Sequence, residues 1–234
     1  MYGYGGYYLG YGGDWMLLLL PALLFAMYAQ FKVTSSFNRY LRVASRSGYS
    51  GYEVARMILD RNGLHDVRIE PIGGNLTDHY DPRSKVVRLS RNVYNGRSIA
   101  AVSVAAHEVG HAMQHGEGYL PLIIRNNLAP IASIGARFVW ILILLGFVVS
   151  YFFLELGIML YVAIVLFQVV TLPVEFNASR RALYQLENFG IVYSDEIGSS
   201  REVLKAAALT YVAATLVSLA QLLRLLSLTG RRRN

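Results

Sequence analysis

Ala105-Ala106-His107-Glu108-Val109-Gly110-His111-Ala112 is the stretch on which the reading of this chain turns. It lies in a run that opens at Ser98, a good N-cap, and closes at Gly116 and Gly118, which predicts a helix from Ile99 to about His115. Residues four apart project from one helix face a turn apart, so His107 and His111 can reach a common ion. Glu108 lies one step around, within reach of a water on that ion rather than of the ion itself. H-E-x-x-H on a helix is a zinc-site signature: two imidazoles plus a carboxylate general base. The bland alternative is a helix whose two histidines hydrogen-bond their neighbours. With only five histidines in 234 residues, the spacing and its capped helical frame favour the metal.

Catalytic zinc takes three protein ligands and leaves a fourth position open. The chain has no Cys, which removes thiolate ligands, disulfides and a Cys nucleophile, and leaves His, Asp or Glu as the third ligand. His115 shares the helix face but sits two turns from His107. His79, in Asp78-His79-Tyr80-Asp81, falls in an apparent loop. Glu175 is better placed, because it follows an apolar run directly, in Pro173-Val174-Glu175-Phe176-Asn177-Ala178-Ser179-Arg180-Arg181.

Around the motif, residues 32–130 read as a compact α/β unit. Ser50 and Glu53 form a capping box ahead of Val54, Met57, Ile58 and Leu59 on a helical period, and Gly63 suits the C-terminal end. Residues 66–72 and 84–90 alternate like strands, with a turn at Gly73-Gly74-Asn75 between them. Segment 84–90 is either an ordinary internal strand or one that pairs with an extended substrate.

The rest belongs to the bilayer. The chain is 54% hydrophobic and 16% charged, against about 25% charged in soluble domains. Residues 15–31 form an uncharged apolar run. Residues 131–153 and 158–174 form a hairpin turning at Glu155-Leu156-Gly157, and 203–228 make a fourth stretch that either spans or lies along the interface. A hairpin crosses twice, so Glu175 returns to the side that holds His107. The net charge of +7 reflects basic residues kept on cytoplasmic loops rather than nucleic-acid binding, for which no motif is present. Segment 32–130 carries thirteen basic and eight acidic residues and votes cytoplasmic, whereas four crossings would leave the arginines at 231–233 outside. The first fourteen residues, with five Tyr and six Gly, read as a flexible tail.

The expected fold class is a mostly α membrane protein. It has 3–4 transmembrane helices and a small α/β zincin-like juxtamembrane domain carrying the HExxH helix. The chain divides into a tail (1–14), a first crossing (15–31), the zincin-like unit (32–130), the hairpin (131–174), a third-ligand segment (175–202), a fourth crossing (203–228) and a basic end (229–234).

Three stretches carry a family resemblance: Asp78-His-Tyr-Asp-Pro-Arg-Ser-Lys-Val-Val-Arg-Leu-Ser90, Ala105-Ala-His-Glu-Val-Gly-His-Ala112 and Leu172-Pro-Val-Glu-Phe-Asn-Ala-Ser-Arg-Arg-Ala182. The chain resembles the YugP-like neutral zinc metallopeptidases, multi-pass prokaryotic membrane proteins. More distantly, Glu175-Phe-Asn-Ala-Ser179 is similar to the E-F-x-A-D motif of heat-shock and CAAX-type membrane gluzincins. That likeness implies Glu175 as third zinc ligand. Those relatives have Asp where this chain has Ser179, so the task of orienting a ligand passes to Ser179, Asn177 or another residue.

The implied chemistry is peptide-bond hydrolysis with Zn²⁺ on His107, His111 and Glu175 and with Glu108 as general base. Tyr211, Tyr80 and His115 are candidates to stabilise the oxyanion. The expected partners are the lipid bilayer and a protein or peptide substrate, either unfolded or membrane-associated, at the cytoplasmic face of a prokaryotic inner membrane. The alternative is a catalytically silent membrane scaffold that keeps a structural metal, against which an intact Glu108 argues.

Overall fold

In a computed structural model of the chain, residues 14–230 are described. The Tyr-Gly tail over 1–13 and the arginines at 231–233 lie outside the described residues. Helix α1 spans Asp14–Leu41, and α2 (Gly51–Arg61) leads to strands β1 (Arg68–Ile72), β2 (His79–Asp81) and β3 (Val86–Ser90). A single turn, α3 (Arg91–Tyr94), precedes α4 (Ile99–Gly116). Three long helices follow: α5 (Leu120–Val148), α6 (Tyr151–Asn188) and α7 (Ile197–Gly230).

The protein is a mostly helical membrane protein with a small α/β unit. Among the described residues, α5, α6 and residues 197–227 of α7 are long and apolar enough to cross a bilayer. Apolar side chains cover their outer surfaces: Phe138, Ile141, Leu144, Phe152, Leu166 and Leu223 are all exposed, as lipid-facing positions require.

Local sequence signals produce the α/β unit. Ser50 Oγ accepts from the Glu53 amide while Glu53 Oε2 accepts from the Ser50 amide, so two orphan donors at the start of α2 are satisfied reciprocally. Ser98 caps α4 by accepting from the Ala101 amide. The sheet has the order β1-β3-β2, with β3 parallel to β1 (Arg68 opposite Val86) and antiparallel to β2 (His79 opposite Arg88).

The core between sheet and helices is built from Val54, Ile58, Leu59, Val87, Leu89 and Val109, all fully buried. Leu186 from α6 and Leu204 from α7 close the same core, so the long helices hold the α/β unit directly. Lys32 and Tyr40 of α1 both engage Glu202 of α7, at 3.2 and 2.7 Å.

Four expectations need correction. Segment 84–90 is not available to an added strand: β3 is central, with β1 on one side and β2 on the other. His79 is not in a loop but in β2, a three-residue strand of polar residues too short to show alternation.

The hairpin turns at Val149-Ser150, not at Glu155-Leu156-Gly157, which lies inside α6. Ser150 caps α6 by accepting from the Phe152 amide, and a Cβ on Gly146 would meet Leu154 at 2.5 Å, so that glycine lets the two helices close up at the turn. Finally, α5 starts at Leu120, with Pro121 in its first turn, and passes through Arg125, Asn126, Asn127 and Pro130. Those residues break the apolar run but not the helix. Likewise α6 continues through Pro173 to Asn188.

Candidate metal centre

Helices α4 and α6 pack so closely at Gly110 that a Cβ there would lie 2.7 Å from the carbonyl oxygen of Ala178. Gly110 stands between His107 and His111, so this contact brings both histidines against the α6 face that carries Glu175. His107 Nε2 is 3.3 Å and His111 Nε2 3.7 Å from Glu175 Oε2, and one ligand atom from each residue lies within 4.8 Å of the other two. The site is buried: His111 is 8% and Glu175 2% exposed.

Hydrogen bonds around the cluster fix the tautomer of His111. Asn177 Oδ1 accepts from Arg181 Nε at 2.7 Å, and arginine can only donate. The same Oδ1 and the Val174 carbonyl therefore both accept from Gln114 Nε2, at 2.9 and 2.8 Å. That leaves Gln114 Oε1 as the acceptor 3.0 Å from His111 Nδ1, which must carry the proton. Ser179 Oγ lies 3.2 Å from His107 Nδ1, where it can accept in the same way.

With Nδ1 protonated, His111 Nε2 presents a lone pair toward the carboxylate, and His107 Nε2 does the same when Ser179 accepts from its Nδ1. Glu175 Oε2 is itself buried with no hydrogen-bond partner. Three lone-pair donors converging in a buried space repel one another unless a cation joins them. Two nitrogens and an oxygen suit zinc, whose tetrahedral ligands at about 2.0–2.1 Å stand about 3.3 Å apart. The His107–Glu175 separation of 3.3 Å has that value.

Glu108, 7% exposed, points into two cavities that meet at the cluster. One, about 100 Å³, lies under β2 and is lined by Tyr80, His107, His111, Arg125, Glu175 and Tyr211 among others. The second, about 310 Å³, opens between α1, α4 and α7 and reaches Gln30, Val33 and Ala207. Burial pushes the Glu108 carboxyl up to about 7; His107 opposes this, while Glu175 and Asp78 add to it.

The other sequence candidates separate clearly. Ser179 stands at His107, with its hydroxyl 3.2 Å from Nδ1. Asn177 is one step further out, in contact with Gln114 rather than with either histidine. Tyr211 lines both cavities. His115 and His79 are outside the three-residue cluster. His115 Nδ1 pairs with the Tyr80 hydroxyl at 2.8 Å, and His79 Nδ1 with the Thr77 carbonyl at 2.8 Å. Burial, with Asp66 and Asp81, pushes the Tyr80 phenol up to about 12, so its hydroxyl keeps its proton.

Two residues were missed. Gln114 is completely buried, and its one sequence signal is its place three residues beyond His111 on the same helix. Arg125 lines the cleft, and its Nε is buried without a partner.

The model of a family described as "putative neutral zinc metallopeptidase" matches residues 15–230. A relative in Bacillus subtilis (strain 168), "Putative membrane protease YugP", is 50% identical over 222 residues, which cover 94% of this chain and 99% of that protein. No solved structure matches.

Proposed function

Because this chain belongs to the neutral zinc metallopeptidase family, we propose that it is a membrane-embedded endopeptidase that cuts unfolded or membrane-associated proteins. The observation that carries this reading is the convergence of His107, His111 and Glu175 on one buried point beside Glu108. These three residues would hold zinc, which when bound supplies a Lewis acid that lowers the pKa of water toward about 7 and polarises a carbonyl.

The remaining steps belong to the chain. Glu108 takes a proton from the attacking water on its carboxylate and delivers it to the nitrogen of the leaving amine. Arg125 and Tyr211, facing the same cleft, donate to the carbonyl oxygen as negative charge builds on it. The outer edge of β2 bounds the cleft, so an extended substrate can lie along it and present its backbone to the site. Gln114 and Ser179 keep the two imidazoles oriented throughout.

In this reading residues 32–130 and 175–202 together form the working unit, and the apolar segments hold it at the bilayer. The run at 15–31 within α1 serves as a further crossing. The basic residues near the ends of the crossings favour a site on the cytoplasmic side of a prokaryotic inner membrane. Its substrates are then loops, exposed segments or unfolded chains at that face.

The test is hydrolysis of a quenched fluorescent peptide by the purified chain. Activity is expected to disappear on chelation and return with added zinc. Activity that survives complete removal of metal would exclude zinc-dependent hydrolysis.

A further inference from the structure

We infer that the groove between α6 and α7, whose lining includes Ser179, seats one anionic phospholipid. This groove of about 750 Å³ is lined by Phe176, Ser179, Arg180 and Leu183 of α6 and, on α7, by residues from Arg201 to Val212. Its floor is apolar, and Arg180, Arg201 and Lys205 supply its cations.

The helices set those cations at one height. Thr215 Oγ1, which donates to the Tyr211 carbonyl of its own helix at 2.9 Å, lies 3.4 Å from the Gln168 carbonyl, and that contact marks the antiparallel register of α6 and α7. Counting turns back from that contact puts Arg180 level with Val203, between Arg201 and Lys205. At 1.5 Å per residue, the three cations fall within about 3 Å of a common level. Phe176, Leu209 and Val212 lie about 6–14 Å deeper, toward the apolar run that precedes Glu175. A collar of positive charge above an apolar slot matches a phosphate headgroup with an acyl chain below it.

Charge complementarity selects the occupant. All three basic residues are exposed, and none is in an ion pair or a side-chain hydrogen bond among the described residues. Several cations elsewhere in the unit are matched, among them Lys32 with Glu202, Arg46 with Asp195 and Arg181 with Glu117; what sets the groove apart is that three of its cations share one level above an apolar slot with no acid in its lining. The neighbouring acid, Glu202, is turned away toward Lys32 and Tyr40. The groove lining contains no Asp or Glu. A zwitterionic headgroup brings its own cation into this collar and is disfavoured; a monoanionic phosphodiester is not.

The binding does not depend on catalysis, so its test stands apart from the peptidase reading. Full-length protein in detergent is titrated with phosphatidylglycerol, phosphatidylcholine or soluble glycerol phosphate, and binding is read by native mass spectrometry and thermal shift. We expect phosphatidylglycerol to remain bound and raise Tm, with little effect from the other two. The triple variant Arg180→Gln, Arg201→Gln, Lys205→Gln should bind phosphatidylglycerol on the order of 100-fold more weakly, since each basic residue near a lipid surface contributes about fivefold. Its helix content and zinc content should be unchanged, because all three side chains are on exposed surfaces.

A control with Arg83→Gln and Arg91→Gln, which are exposed but remote from the groove, should bind like the parent. Equal binding of phosphatidylcholine, an equal effect of glycerol phosphate, full binding by the triple variant, or equal loss in the control would each overturn the assignment. Should the triple variant misfold, the comparison of the three ligands on the parent protein decides alone.

Discussion

Glu108→Gln is expected to keep zinc at parental stoichiometry while peptide hydrolysis falls by about 10²–10⁴-fold, the range for losing a positioned general base. The substitution preserves shape and hydrogen-bonding capacity but cannot accept a proton. Glu108 is outside the trio that converges on the ion position, so metal retention and catalysis should separate cleanly. Stability should hardly change, because the residue is buried in a region that burial already makes unfavourable for a charged carboxylate. The measurement is turnover of a quenched peptide together with zinc content of the same preparation. Unchanged turnover would remove Glu108 from the chemistry and favour a scaffold that merely carries a metal.

Glu175→Ala should have the opposite signature, with both zinc and activity lost. Disturbing an outer residue that orients a ligand typically weakens metal binding 10–100-fold. Removing a ligand outright should exceed that, leaving two imidazoles on one helix as the whole site. Because zinc stabilises only the folded state, the parent's Tm should rise as zinc is added, and that rise should vanish in the variant. The thermal comparison also controls for damage to the fold, since metal-free parent and metal-free variant can be compared directly. Stoichiometric zinc in Glu175→Ala would exclude this residue as a ligand.

The parts of the site legible from sequence were those encoded by spacing within one helix. His107, Glu108 and His111 declare themselves because a four-residue interval is a geometric statement. Glu175 could be nominated only by counting membrane crossings and by resemblance, and the turn location proved immaterial to that count. The hairpin still crosses twice whether it turns at Ser150 or five residues later, although the capping hydroxyl of Ser150 was overshadowed by the charge of Glu155.

Gln114 escaped notice because its role exists only in three dimensions. A glutamine on a helix looks solvated until α6 places the Val174 carbonyl and Asn177 against it. Ser179 shows the converse. The departure from an aspartate motif left its role open, and the structure places its hydroxyl beside His107. Strand β2 was invisible because His-Tyr-Asp has neither alternation nor branched side chains, yet its edge roofs the cleft. Arg125 is one of thirteen basic residues in segment 32–130 with no signal of its own, and only the packing of α5 brings it into the cleft beside His107 and Glu108.

The most direct test is anomalous X-ray scattering at the zinc absorption edge from crystals of the purified protein. The account predicts a single strong peak bonded at about 2.0–2.2 Å to Nε2 of His107, Nε2 of His111 and the carboxylate of Glu175. A protein-bound zinc whose peak falls elsewhere, or one that leaves the Glu175 carboxylate out of its coordination, would contradict it.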